Sequence, residues 1–258
     1  MREFLRKLFF PPQCSACRTL LDWNPPGTSA AQPVALCRDC LIRWEAEKTE
    51  ACAICGCRVS NCRCMPLALQ KAKCTGFCKL VYYSPRKSDP VQNRLIYYIK
   101  RNADRQTPRF LADELVPSVY SGLQEIGVNR DEVADFVLVT YLPRGGRSRL
   151  QYGTDQAKEL ARTLSERLGA PMRCLIRRRR GADREQKRLS PERRLENAKH
   201  SFLAARDADC NGKVVLLVDD VVTTGASMAA CTRILRKLGA SYVLGVAVAS
   251  DEVNRERI

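Results

Sequence analysis

Residues 214–227 read VVLLVDDVVTTGAS, and this stretch decides the fold. Val214 to Val218 are all apolar, as expected of a strand buried on both faces of a parallel sheet. Two carboxylates follow, Asp219 and Asp220, then Val221 and Val222. A small, hydroxyl-rich turn, Thr223-Thr224-Gly225-Ala226-Ser227, then opens a helix expected over 225–238. In an open α/β sheet, ligands bind beyond the carboxyl ends of the strands. Gly225 allows the backbone to approach a ligand closely. The N–H groups of the helix start, with the hydroxyls of Thr223, Thr224 and Ser227, suit a dianionic phosphate, and the helix dipole assists. Two adjacent carboxylates beside an anion site are unfavourable unless they face something else. Vicinal sugar hydroxyls donate hydrogen bonds to carboxylates, and a metal ion neutralises further charge. The string therefore describes a ribose 5-phosphate site, with Asp219 and Asp220 on the sugar and Thr223 to Ser227 on the phosphate. A lone TTG would read as a generic nucleotide-binding turn, or as a strand end capped by Asp. A Walker P-loop is excluded, because Gly-Lys-Ser/Thr occurs nowhere.

Outward from this string, strands and helices alternate. Helices are expected over 90–103, with Val91, Leu95, Ile96 and Ile99 on one face, over 107–126, and over 155–168, closed by Gly169. Strands are expected at 135–141, 172–177, 214–218 and 241–249. The succession predicts an α/β fold, a parallel sheet flanked by helices with right-handed crossovers.

The N-terminal third is different. Of the chain's 14 cysteines, eleven lie between Cys14 and Cys78. The composition break places a domain boundary near 75–80, giving a Cys-rich part (1–78) and an α/β part (79–258). With little hydrophobic periodicity and with Pro25, Pro26, Gly27 and Pro33, the first part cannot hold together by core burial alone. Cys14-x₂-Cys17 and Cys37-x₂-Cys40 are separated by 19 residues, the spacing of a four-Cys zinc ribbon. A second set, Cys52, Cys55, Cys57, Cys62 and Cys64, offers five thiols for four positions. Cys52/Cys55 and Cys62/Cys64 are the expected ligand pairs, with Cys57 left over. Cys74 and Cys78 read equally as core residues, thiols without a ligand role or substitute ligands. One or two structural zinc ions are expected.

The chain carries 44 basic and 28 acidic residues, a net charge of +16, which favours an anionic partner such as nucleic acid. Residues 171–199 concentrate this charge, with Arg177, Arg178, Arg179, Arg180, Arg184, Lys187 and Arg188 at its densest. Such a belt closes over a polyphosphate, tracks a nucleic-acid backbone or simply forms a solvated loop. Tyr97, Tyr98, Tyr141 and Tyr152 are candidate stacking partners or core residues. No apolar stretch is long enough to span a bilayer, and MREFLRKLFFPPQC is too short and charged for a secretory signal. The expected location is cytoplasmic. His200, the one histidine, reads as a surface residue.

The string 214–227 resembles the phosphoribosyl pyrophosphate signature of the type I phosphoribosyltransferases. With the zinc-ribbon head, the whole chain resembles the ComF family, the amidophosphoribosyltransferase-related competence proteins. YYSPRKSDPVQNRLIYYIKRN, from about residue 80, is similar to that family's Tyr-containing strand and following helix, which ends at Ile99-Lys100. Pro143, Gly153 and Gln156 stand in register with a second landmark, whose first proline, aromatic and asparagine are replaced here. Gln186, Leu189, Ser190, Arg194, Asn197 and Phe202 match a third, although Ser190-Pro191-Glu192 also suits a helix start.

The resemblance implies phosphoribosyl pyrophosphate with Mg²⁺ as ligand, and Arg144, Gly145 and Gly146 on its pyrophosphate side, although PRGGR also reads as an ordinary basic turn. It further implies a role in natural transformation, handling single-stranded DNA beside a DNA-uptake helicase. Three functions follow as alternatives. They are a binding module of this kind, an active transferase passing ribose 5-phosphate to an unidentified base or amine, and a scaffold docking a partner through its zinc ribbon.

Overall fold

The computed structural model describes residues 11–21, 35–83, 90–101, 106–144, 155–179 and 200–252. Helix α1 (Arg38–Lys48) starts from Cys37, and a short helix α2 (Leu67–Lys71) follows Pro66, whose ring fixes φ near −55° at the helix entry. Two short strands come next, β1 (Gly76–Cys78) and β2 (Val81–Tyr82), then helices α3 (Val91–Arg101), α4 (Gln106–Gln124) and α5 (Val133–Phe136). The remainder runs β3 (Val137–Tyr141), α6 (Gln156–Leu168), β4 (Ile176–Arg178), β5 (Phe202–Ala204), β6 (Val214–Val222), α7 (Ala226–Lys237) and β7 (Tyr242–Ser250). Helix α6 closes at Gly169, in the left-handed conformation, where the sequence places its stop.

Strands β3, β6 and β7 lie side by side, and β1 and β2 both pair with the outer edge of β7; every pairing is parallel. Strand β1 lies on the N-terminal side of the division drawn at residue 78, so the sheet draws its edge from the end of the Cys-rich part. Side chains of β6 alternate between two layers. Val214, Leu216 and Val218 enter the layer formed by α4 and α6 with Leu111, Leu115, Leu160 and Leu164. Val215 and Leu217 enter the opposite layer with Ala229, Cys231 and Leu235 of α7 and Leu69 of α2. Each such side chain, fully buried, contributes about 1.5–3 kcal/mol relative to exposure. This is an α/β fold with a parallel sheet flanked by helices.

Two strand expectations change in extent. Strand β6 continues four residues past Val218, because the pairings Asp219–Ala247, Val221–Ala249 and Val222–Ser250 extend the ladder with β7. The expected strand at 172–177 shrinks to β4, which pairs antiparallel with β5, and Met172 makes a lone bridge to Val139.

Helix α1 of the Cys-rich part packs on the α4 side of the sheet, whereas Leu69 of α2 lies on the α7 side. Trp44 is fully buried, donates from Nε1 to Glu114 Oε2 at 2.9 Å and packs its ring 5.8 Å from that of Phe110. Ser15 Oγ and Thr107 Oγ1 share a hydrogen bond of 2.8 Å. Among the described residues, no helix is long and apolar enough to cross a membrane.

Candidate functional site

Asp219 and Asp220 occupy the C-terminal end of β6, where the sheet opens. Because successive strand residues face opposite ways, the two carboxylates have different surroundings. Asp220 is 5% exposed and pairs with Arg144, which lies three residues beyond β3; Nη2 to Oδ2 is 2.5 Å. Asp220 Oδ1 also accepts from Val221 N at 3.0 Å. Asp219 lies on the α7 side, where its charge acts on the buried Cys231 thiol. Burial first, and then the charge of Asp220, push its carboxyl well above the usual carboxylate range. Asp219 Oδ1 accepts from Asp220 N at 2.9 Å.

The turn that follows is built around Gly225, at φ +74°, the region that favours glycine. An added Cβ there would stand 3.2 Å from Cβ of Pro66 and 3.2 Å from Cγ of Leu69. Thr223 is exposed, Thr224 and Ser227 are half-buried, and Ala226 is buried. Thr224 Oγ1 accepts from Ala226 N at 3.4 Å. Gly225 brings no side-chain cap to α7, the arrangement that leaves backbone N–H groups for an anion. Asp155, the N-cap of α6, accepts from Lys158 N at 3.4 Å and from Arg144 N at 3.5 Å, which holds the Arg144 backbone beside the carboxylates.

The structure thus brings Arg144, Asp219, Asp220 and Thr223 to Ser227 to one end of the sheet. Gly145 and Gly146 lie outside the described residues. It also adds residues that sequence reasoning missed. Tyr83 N donates to Ser250 O at 2.7 Å, and Ser250 pairs with Val222 at the end of β6; burial raises the Tyr83 hydroxyl, Tyr97 contributes next, and the charges of Asp251 and Asp220 act in the same direction. Tyr97 is a stacking candidate in the sequence, but nothing in the local pattern brings Tyr83 to β6. Pro66 and Leu69 likewise reach Gly225 only through tertiary packing.

Two groups of four thiols have their Sγ atoms within 4.8 Å of one another: Cys14, Cys17, Cys37 and Cys40, and Cys52, Cys55, Cys62 and Cys64. Each group could hold a zinc ion, four thiolates being the donor set of a closed tetrahedral site. Their turns repeat one geometry. Arg18 after Cys17 and Gly56 after Cys55 both have positive φ, 68° and 71°. Cys37 N-caps α1 and Cys40 lies in its first turn, where the helix dipole favours thiolates. Cys57 is exposed and outside both groups. Cys74 and Cys78 are buried in the core, their thiols donating to the carbonyls of Gly76 (3.3 Å) and Ser118 (3.4 Å).

Of the basic belt, Arg177 and Arg179 are exposed on β4 and just beyond it, and Arg178 lies 5.3 Å from the Phe202 ring centroid. Arg180, Arg184, Lys187 and Arg188 lie outside the described residues, as do Tyr152, Gly153 and the landmark residues Gln186 to Asn197. Pro143 and Gln156 are buried, and His200 is exposed.

Residues 154–257 match the family described as phosphoribosyl transferase domain. A ribose-phosphate pyrophosphokinase of Pyrococcus abyssi is 51% identical over 41 residues, 16% of this chain and 14% of that protein. Among solved structures, the allosteric regulatory enzyme of purine biosynthesis is similar at 21% identity and a TM-score of 0.38, covering 60% of this chain and 30% of that one. An orotate phosphoribosyltransferase from Aeropyrum pernix is similar at 23% identity and a TM-score of 0.31, covering 71% of this chain and 79% of that one. The chain thus spans less than a third of the pyrophosphokinase and of the purine-biosynthesis enzyme. The phosphoribosyl transferase domain match spans residues 154–257, the part of the chain that carries α6, β6, α7 and β7.

Proposed function

We propose that this chain is a ComF-type protein that binds phosphoribosyl pyrophosphate with Mg²⁺ at the end of β6. One observation carries the reading: the Arg144–Asp220 pair stands beside a helix start opened by a left-handed glycine. A cation, paired carboxylates and the first amides of α7 at one sheet end are complementary to pyrophosphate, ribose hydroxyls and a 5-phosphate in turn. In this reading Asp219 and Asp220 hold the ribose hydroxyls and Thr223 to Ser227 hold the 5-phosphate. Arg144 exchanges part of its contact with Asp220 for the pyrophosphate, with Gly145 and Gly146 beside it. Mg²⁺, when bound with the ligand, neutralises polyphosphate charge, and the same two carboxylates are the oxygen donors suited to it. The two four-thiol groups hold structural zinc.

The resemblance supplies the wider role, handling single-stranded DNA during uptake next to a helicase, in the cytoplasm. The exposed Arg177 and Arg179 support an anionic polymer as partner. Calorimetry tests the ligand. Phosphoribosyl pyrophosphate with Mg²⁺ should bind the wild-type chain, and Asp220→Asn should weaken it by about 2–4 kcal/mol, as for a charged hydrogen-bond partner. No heat with the wild type, or equal affinity in the variant, sinks the reading. Transfer of ribose 5-phosphate to a base is the second reading, favoured by the domain match over 154–257. Pyrophosphate release in the presence of candidate bases separates it from binding alone.

A further inference from the structure

Close to the turn at Gly225 lies a segment of the Cys-rich part. Pro66 and Leu69 come within 3.2 Å of where a Gly225 side chain would begin, and Leu69 is fully buried with Ala226, Met228 and Ala229 of α7. Helix α2, which carries Leu69, starts three residues after Cys64. The segment between them is short and stiff, with Pro66 at the helix entry and Gln70 Nε2 donating back to Met65 O at 3.1 Å.

The Cys62–Cys64 turn is itself clamped to the body by two cations. Lys79 is fully buried, and its Nζ donates to Cys62 O at 3.1 Å and to Cys64 O at 2.8 Å. A buried ammonium needs acceptors and a compensating negative charge, and four thiolates around a divalent ion leave a net charge of that sign. Arg63 forks onto Ser118, Nη1 to Oγ at 2.9 Å and Nη2 to the carbonyl at 3.0 Å, and reaches Glu125 Oε1 from Nε at 3.0 Å.

We propose that the Cys52, Cys55, Cys62 and Cys64 site is a positioning device for the phosphate turn, with Pro66 and Leu69 as its contact on Gly225. A metal in this site fixes the 62–64 turn; that turn fixes the start of α2; and α2 supports the turn that opens α7. The other four-thiol group packs into the opposite layer, with Cys14 and Cys40 beside Trp44, and has no such contact among the described residues. The proposal rests on reading 223–227 as a phosphate site, and the coupling it describes is reciprocal.

The test uses the full chain, loaded with zinc, and two readouts. The first is hydrogen exchange of peptides spanning 223–229. Cys64→Ser is expected to speed exchange there by about tenfold, within the range of coupling free energies, and Cys17→Ser is not. Leu69→Ala keeps all eight thiols, so it should retain both metals and still speed that exchange, which keeps the test open if Cys64→Ser does not fold. Unchanged exchange in Leu69→Ala, or an equal effect of Cys17→Ser, overturns the coupling. The second readout is calorimetry with ribose 5-phosphate, for which Leu69→Ala should weaken binding by about tenfold. A wild-type chain that binds no ribose 5-phosphate overturns the reading of the turn. Wild-type binding that Leu69→Ala leaves unchanged overturns the coupling alone.

Discussion

Gly225 is the residue on which the site turns, and two separate costs meet there. A side chain at φ +74° carries the left-handed penalty of about 1–2 kcal/mol, and its Cβ would also press on Pro66 and Leu69 at 3.2 Å. Gly212 isolates the first cost, since it has φ +71° and nothing within 4 Å of an added Cβ. Gly212→Ala should therefore lower stability by about 1 kcal/mol, and Gly225→Ala by about 1–3 kcal/mol more, as overpacking does. Urea unfolding of the pair reads the difference directly, and equal losses would show that the contact with Pro66 and Leu69 has no energetic weight. The two aspartates show the same dependence on surroundings. As letters they are identical neighbours. In the fold, one pairs with Arg144, while the other is pushed toward its neutral form by burial and by its neighbour's charge.

At the scale of elements, β6 and α7 were legible because burial wrote itself into their composition. A continuous apolar strand and a stop glycine identify themselves without reference to distant residues. Strands β1 and β5 were not legible, and β2 only through the resemblance: with two or three residues each, they exist because a parallel edge or an antiparallel partner supplies their hydrogen bonds. Helix α1 belongs with them, since its apolar residues Leu41 and Ile42 are exposed and it is anchored by Cys37, Cys40 and the buried Trp44. Its stability accordingly depends on metal, to which each structural zinc contributes on the order of 10 kcal/mol. Trp44 reports this. In a Trp23→Phe background, a strong zinc chelator should strip Trp44 of its packing on Phe110 and its bond to Glu114. The expected result is a red-shifted emission that zinc restores; emission that stays blue with the metal removed would mean that α1 is held by packing alone.

For the whole molecule, the governing quantity is charge. A net charge of +16, with Arg177 and Arg179 exposed, predicts an affinity for single-stranded DNA that falls steeply with salt. Removing one phosphate-binding arginine should lower the log–log slope by roughly 0.7, so Arg177→Ala with Arg179→Ala should lower it by about 1.4. A flat slope for the wild type would remove nucleic acid from the range of partners. The paired substitution should leave phosphoribosyl pyrophosphate binding intact, because Arg177 stands on β4 and Arg179 just beyond it, not on the turn after β6.

What the sequence determined by itself was local: the strand and turn of 214–227, the helices with a clear apolar face, and the two sets of cysteines at ligand spacing. In each of these the physics acts over a few residues, through alternation, helical period or the reach of one metal ion. Tertiary structure alone decided which distant groups meet there. It brought Arg144 to Asp220 and Tyr83 to the edge of the site, and it set Pro66 and Leu69 against Gly225. Those contacts come from the order of strands in the sheet and the packing of its two layers, which no short stretch of sequence records.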